Sequence, residues 1–376
     1  MSERFIADPN EFVLKDKNGN IMSPTEVKEY LRWAQENIVK NRLKKRKTKK
    51  FTEMIRDSIV CFAIGDALGV PLEFKSREEC ERINPTGMLE RMSHYQPKGT
   101  WSDDTSMVLA TIDSILMCEE VNYNDIANKF CEWLNSKKYT ARDEIFDVGN
   151  TTYKSLYNYS AIRENAEEFG QTDERSKGNG SLMRILPISL YCHIHKKNSF
   201  EEKKELIEKV SSITHATPEC KLGCLIYSIF ISNLLDGYTV QSAYEKLAQI
   251  DFSPYYSRET IAEYKRILNN ELLNLDISDI SSSGYVVSTL EAVLWNLIHN
   301  SKFDETLLSA IKLGGDTDTI AALTGALAGI VYKHEDIPEE WLNTLLKKDE
   351  ILNFADNYAY FLKTINNKKE EQKRLK

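Results

Sequence analysis

From Thr52 onward the apolar residues of this chain recur at helical spacing, and that periodicity restricts the fold more than any other feature. In TEMIRDSIVCFAIGDALG, Ile55, Ile59, Phe62 and Ala63 fall on one helix face, and the pattern stops at Gly69 and Pro71. Similar stretches lie at 104–119, 123–135, 201–213, 219–236, 239–250, 258–275, 286–300, 304–312, 318–334 and 339–346. Strand-like alternation is scarce and no segment repeats at a fixed period. The expectation is an all-α protein, a single helical domain with functional loops between its helices. A chain of 376 residues, 41% apolar and 28% charged, has the material for a sizeable core.

Residues 1–50 read differently. FVLKDKNGNIM carries a turn signal, Asn18-Gly19, between short apolar pieces and suits a small hairpin. Ser23-Pro24-Thr25-Glu26 is a capping box with proline at the first helical position, opening a helix to about Val39. Residues 40–50 then carry eight Lys or Arg in eleven positions, read as a solvated linker rather than a phosphate-binding or targeting segment. The domain organisation expected is an extension and basic linker over 1–50, a catalytic domain over 51–365 and a charged tail over 366–376.

Composition removes several function classes. A net charge of −8 argues against a nucleic-acid partner, which needs a basic face. The seven cysteines include no CxxC pair, which argues against a disulfide framework or a zinc site. With no signal-peptide pattern at the start and no apolar run of about 18 residues, a cytoplasmic protein without a membrane partner is expected.

Two clusters carry the most chemistry. Trp101-Ser102-Asp103-Asp104-Thr105 and Gly314-Gly315-Asp316-Thr317-Asp318-Thr319 each stand directly before an apolar helix. Each offers two carboxylates with neighbouring hydroxyls, hard oxygen ligands that suit magnesium, calcium or manganese. Helix capping is the other reading, since Asp, Ser and Thr are preferred caps and acids favour the first turn. A cap explains one residue, not doubled acids in both clusters, nor the Gly-Gly step that would let backbone approach a bound group. If the four aspartates converge, each like-charge pair at about 4 Å costs on the order of 4 kcal/mol at an effective dielectric near 20. Two divalent cations would balance four negative charges, with the hydroxyls of Ser102 and Thr319 completing the coordination.

The remaining motifs are each ambiguous alone. Asp66 and Glu73 in GDALGVPLEF read as a helix-end acid and a surface acid. FDVGNTT, with Asp147, Gly149 and Asn150, is a polar loop with glycine flexibility. Gly178-Asn179-Gly180-Ser181-Leu182-Met183-Arg184 is either a simple turn or an anion-binding nest ahead of a helix. His215 reads as a hydrogen-bonded, partly buried side chain, and Tyr285 as packing at a helix start.

Taken in order, GDALGVPLEF, SDDTSM, DVGNTT, GNGSLMR, THATP and GGDTDTIAALTGALAG resemble the ADP-ribosylglycohydrolase family, from about Thr52 to about Trp341. That family includes the dinitrogenase reductase-activating glycohydrolase and the ADP-ribosylarginine hydrolases. The resemblance implies an orthogonal all-helical bundle with two Mg2+, or Mn2+, in a cleft. It makes Ser102, Asp103, Asp104, Asp316, Asp318 and Thr319 the metal ligands, although many relatives have Thr where this chain has Ser102. It makes Glu73 and Asp104 the candidates for moving protons. It assigns Gly149, Asn150, Asn179, Gly180, Ser181, Met183, His215 and Tyr285 to ADP-ribose, Tyr285 as the aromatic on adenine.

The resemblance also bears on linkage and partners. Asp147 stands where arginine-specific relatives place an acid against the arriving guanidinium, so ADP-ribosylated arginine on a protein is favoured over serine or another O-linkage. Some bacterial relatives are immunity proteins whose N-terminal extension reaches into an ADP-ribosylating toxin. The extension here suits a cognate toxin as a second partner, with a purely inhibitory binding protein as the competing class. A non-catalytic scaffold is disfavoured, because it would leave the acids of both clusters uncompensated.

Overall fold

The computed structural model describes residues 22–23, 49–195 and 199–374, with side chains as far as residue 367. The hairpin and helix expected before the basic run lie outside these residues. Among the described residues sixteen α-helices follow one another, joined by loops and short 3-10 turns. They are α1 (Phe51–Gly69), α2 (Arg77–Ile83), α3 (Asp103–Cys118), α4 (Tyr123–Ser136), α5 (Asn150–Ser160), α6 (Leu186–Ile194), α7 (Phe200–Ser211) and α8 (Pro218–Leu235). Then come α9 (Val240–Leu247), α10 (Arg258–Glu263), α11 (Lys265–Leu268), α12 (Val286–His299), α13 (Phe303–Lys312), α14 (Thr317–Val331), α15 (Glu339–Thr344) and α16 (Lys348–Arg374). Among the described residues there is no strand, only isolated bridges between Gln171 and His215 and between Gly178 and Tyr285. None of their helices is long and apolar enough to cross a membrane.

Two helices form the centre. Between Met54 and Gly69 only Arg56 escapes burial in α1, and every residue of α14 from Thr317 to Ile330 is buried. Helices buried all round belong to the interior of a large core. They run antiparallel in direct backbone contact. A methyl group on Gly65 would lie 2.0 Å from the carbonyl oxygen of Ala321, and one on Gly325 would lie 2.2 Å from that of Cys61. Gly69 and Gly329 are equally tight against Asp318 Cα (2.3 Å) and Asp57 O (2.4 Å). Thr317 closes the end of the seam by donating its hydroxyl to Gly69 O at 2.8 Å. Helices α13, α12 and α16 pack around this pair.

Local chemistry sets the ends of the outer helices. Ser76 and Ser199 each form a capping box with a Glu three residues on, and Thr217 caps α8 ahead of Pro218. The stretch 258–275, expected as one helix, is broken instead. After Tyr264, whose hydroxyl donates to Glu219 O at 2.7 Å, the chain continues as the four-residue α11 and, past Asn270 with its positive φ, a 3-10 turn. Helices α2, α5 and α16 lie outside the expected stretches, α6 follows the Gly178–Arg184 segment, and α16 runs through position 366 to Arg374. Lys49, at the end of the basic run, is anchored rather than solvated: its ammonium donates to Asp57 Oδ2 and to Gly329 O, both at 2.7 Å.

The seam makes a stability prediction. Gly65→Ala should destabilise the protein by the upper part of the about 1–3 kcal/mol range of overpacked cores, or more. Gly149→Ala, where a methyl would meet only Thr152 Oγ1 at 3.8 Å, should be near neutral. Urea unfolding of both variants decides, and equal midpoints would mean that α1 and α14 are not in backbone contact.

Candidate active site

The C-terminal end of α1 and the N-terminal ends of α3 and α14 meet, and the acids they carry meet with them. Asp66, in the last turn of α1, accepts the backbone N–H groups of Ser102 (2.9 Å) and Thr105 (3.0 Å) and the Thr105 hydroxyl (2.6 Å). It thereby fixes the start of α3, where Ser102 Oγ accepts from Asp104 N at 3.3 Å. Across the junction the Thr319 hydroxyl donates to Asp104 Oδ2 at 3.2 Å. Carboxylate oxygens of Asp66, Asp104 and Asp318 lie within 4.8 Å of one another, as do those of Glu73, Asp316 and Asp318. The two clusters, 103–104 and 316–318, therefore share one floor.

Burial makes this acid group electrostatically costly. Asp103, Asp104 and Asp318 are held well above the usual carboxylate range, first by burial and then by neighbouring acids. Burial pushes Asp66 up to about 6 against the pull of its hydrogen bonds, and pushes Glu73 up to about 7. Hard oxygen donors at this spacing, buried and short of counter-charge, fit divalent cations.

A third group lies beside the floor. His94 Nε2 is 2.5 Å from Glu73 Oε2, and ligand atoms of Glu73, His94 and Asp147 fall within 4.8 Å of one another. The hydrogen bond to Glu73 raises the His94 pKa, and burial raises that of Asp147. Glu73 is buried, not the surface acid that its motif suggests.

A cleft with about 580 Å³ of empty space, partly open to solvent, is lined by Glu73, Asp103, Asp147, Gly149, Asn150, Asn179, Gly180, Met183, His215, Asp316 and Thr319. Asn179 donates to Asp316 Oδ2 at 2.6 Å and to Thr289 Oγ1 at 2.9 Å, orienting that aspartate. Gly180 is dictated by close approach, since a methyl there would stand 2.6 Å from His215 Cε1. His215 is buried and its pKa falls to about 3 through burial and the charge of Arg184. Arg184 Nη2 donates to Thr214 Oγ1 at 2.8 Å, and that oxygen lies 2.9 Å from His215 Nδ1. The imidazole is neutral, with Nε2 beside Gly178 and Gly180.

Other expected site residues stand outside the cleft wall. Ser102, Asp104 and Asp318 lie buried beneath it. Ser181 points into the core, accepting from Ser211 Oγ at 2.8 Å. Tyr285, half-buried at the start of α12, donates its hydroxyl to Glu263 Oε2 at 3.1 Å. The Gly178–Arg184 segment ends in turns before α6, and the Asn179 N–H is used on Gly284 O. The Gly314-Gly315 pair serves the chain itself: both have positive φ, and methyl groups there would strike the backbone of Lys75–Arg77 and of Ser282.

Sequence reasoning missed Asp66 and His94. Asp66 had a signal, being seven residues after Ile59 and three after Ala63, an acid on the apolar face of its helix. His94 had none, since it lies in irregular chain and meets Glu73 only through folding.

The raised acids fix a sign. The folded protein binds these protons more tightly than the unfolded chain, so their stabilising contribution is present below the usual carboxylate range and is lost as pH rises through about 6 to 7. With EDTA, Tm should fall between about pH 5 and about pH 8, and Mg2+ should restore more at the higher pH. Differential scanning fluorimetry tests this, and an Mg2+ shift no larger at the higher pH would contradict it.

Known proteins are similar to this chain over most of its length. The family model described as ADP-ribosylglycohydrolase matches residues 47–370. The ADP-ribosylarginine hydrolase Tri1 of Serratia proteamaculans (strain 568) is 30% identical over 308 residues, covering 81% of this chain and 78% of that protein. The ADP-ribosylarginine hydrolase Tri1 of Pseudomonas putida (strain GB-1) is 29% identical over 300 residues, covering 80% and 76%. A solved structure, an ADP-ribosylglycohydrolase-related protein complex, shares the fold with a TM-score of 0.68 at 24% identity, covering 83% of this chain and 99% of that one.

Proposed function

The chain belongs to the ADP-ribosylglycohydrolase family, and from that premise we propose that it is a magnesium-dependent hydrolase that removes ADP-ribose from arginine side chains of proteins. Hydrolysis of ADP-ribose linkages is the family's activity; the metal and the arginine linkage are our reading. The observation that carries it is the convergence of acids more than two hundred residues apart on one floor, with Glu73 reaching from that floor to Asp147 in the cleft wall.

In this reading Asp103, Asp104, Asp316 and Asp318, with Ser102 and Thr319, hold two divalent cations, and the proximity of Asp66 and Glu73 to the same oxygens adds them as candidate ligands. Bound Mg2+ would neutralise the acids and supply Lewis acidity toward the sugar and a water. Asn179 keeps Asp316 turned to the floor. Neutral His215 faces the nucleotide without adding charge. Asp147 receives the guanidinium through charge-assisted hydrogen bonds. Glu73, with a pKa near 7 and positioned by His94, is the proton carrier beside the scissile bond. Water's oxygen bonds to the anomeric carbon, the C–N bond breaks, and the departing guanidine leaves with a proton.

The decisive assay incubates arginine- and serine-ADP-ribosylated proteins with the enzyme in parallel, with and without Mg2+. Release from arginine only, dependent on Mg2+ and lost in Asp103→Ala with Asp316→Ala, is expected. Unchanged turnover in that double variant would sink the metal reading, and release from serine alone would sink the linkage.

We further propose that residues 1–45 bind a cognate ADP-ribosylating toxin, so that the protein acts in immunity. A truncation for this test has to keep Lys49, which holds Asp57. A chain beginning at Arg46 should keep hydrolysis and lose toxin affinity in calorimetry. Equal affinity with and without the segment would exclude the role.

A further inference from the structure

Burying a charge is costly for a folded chain unless an opposite charge goes with it. Among the described residues, the charges buried outside the acid floor follow that rule with one exception. Asp57 meets Lys49 at 2.7 Å, Lys129 meets Asp113 at 2.9 Å, and Glu219 and Glu291 meet Lys177 and Arg266, each at 3.3 Å. The exception is Arg184. It is fully buried, and its Nε and Nη1 find no acceptor. Burial lowers its pKa to about 10, and no carboxylate acts against that shift.

What the guanidinium does touch leads to the cleft. Its Nη2 donates to Val210 O at 3.1 Å and to Thr214 Oγ1 at 2.8 Å, and Thr214 Oγ1 lies 2.9 Å from His215 Nδ1. His215 lines the cleft, as does Met183, the residue before Arg184. Two hydrogen bonds therefore separate the cation from the cleft wall, and its charge is felt there, being the cause second to burial of the low His215 pKa. The needs of the core do not account for it. Val210 O already accepts from Ile213 N at 3.3 Å, and Thr214 Oγ1 keeps His215 as a partner, so a neutral side chain of the same length would orphan neither. The Phe130 ring, 4.7 Å from Cζ, offsets part of the cost of the charge, but packing against that ring does not require one.

We propose that Arg184 is a positioning residue for the phosphates of the substrate, the counter-charge beneath the acid-free part of the cleft, which also orients His215 through Thr214. The proposal rests on the hydrolase reading above and goes beyond it by naming what faces the negative charge of the nucleotide. Among the described residues that line the cleft there is no lysine or arginine. A flexible cation in the cleft itself would be drawn to the acids of the floor. A guanidinium fixed under the wall cannot be, and it acts through a layer of low dielectric without having to reorganise when the ligand arrives.

The test uses two variants. Arg184→Met keeps the length of the side chain and its packing on Phe130 and removes the charge, while Thr214→Val keeps the charge and removes the bridge to His215. ADP-ribose is the probe, titrated in a calorimeter, with thermal unfolding of the ligand-free proteins measured alongside. Arg184→Met should unfold at or above the wild-type temperature while its Kd for ADP-ribose rises at least about tenfold. Thr214→Val should bind about threefold more weakly or worse. Opposite signs on stability and affinity separate this role from a structural one, which would lower both. An Arg184→Met protein that unfolds below wild type, or does not fold, returns the arginine to the core, and unchanged affinity in either variant removes it from the site; each result overturns the proposal. If wild type itself neither binds ADP-ribose nor cleaves an ADP-ribosylated protein, the hydrolase reading fails, and this inference with it.

Discussion

The structure depends on two helices being allowed to touch. Gly65 and Gly69 on α1 and Gly325 and Gly329 on α14 remove every side chain that would hold the backbones apart. Asp66 lies between the first two, and Asp318 starts the helix that the second two belong to. Contact at ordinary helix spacing would separate these acids by several ångströms. The seam thus does two things at once, closing the core and bringing the two halves of the acid group to a common floor.

Such a floor is unfavourable for the folded chain unless something offsets the charge. Part of the offset is intrinsic: α3 and α14 both present N-terminal ends to the acids, where partial positive charge and unpaired N–H groups gather. Asp66 uses two such N–H groups and a hydroxyl. Asp103, Asp104 and Asp318 are held well above the usual carboxylate range by burial and by the charge of neighbouring acids. The fold keeps a cluster that it cannot satisfy with its own cations. Function, rather than stability, accounts for its presence.

What was legible in the sequence divides along the same physical line. Helical periodicity is a local signal, and it located most helices because each buries one face or all of itself. The Asp-Asp and Asp-Thr-Asp clusters were legible because doubled acids beside hydroxyls exceed what one helix cap requires. Asp66 was half-legible, an acid on an apolar face. His94 was not legible at all, since its meaning lies in a contact with Glu73 across irregular chain. The Gly314-Gly315 pair was legible as a need for close approach but not as to its partner, the neighbouring backbone of Lys75–Arg77 and Ser282. At the break the Tyr264 hydroxyl likewise makes a tertiary hydrogen bond that local spacing does not contain.

The cleft is polarised, and this gives a ligand one sensible direction. One group of residues, Glu73, His94 and Asp147, concentrates acids. The other, Gly178, Gly180, Thr152 and His215, contains no acid, and its histidine is neutral. Phosphates placed against the first group would meet carboxylates with no intervening positive charge. Placed against the second, they meet no acid and closely approaching glycine backbone, while a cationic side chain at the other end meets the acids it requires. Glu73 joins the first group to the floor of aspartates, since its ligand oxygen also lies within 4.8 Å of those of Asp316 and Asp318. Separating an acid group from an acid-free group suits a ligand with a cationic end and a phosphate end, and the reverse orientation would oppose both ends at once.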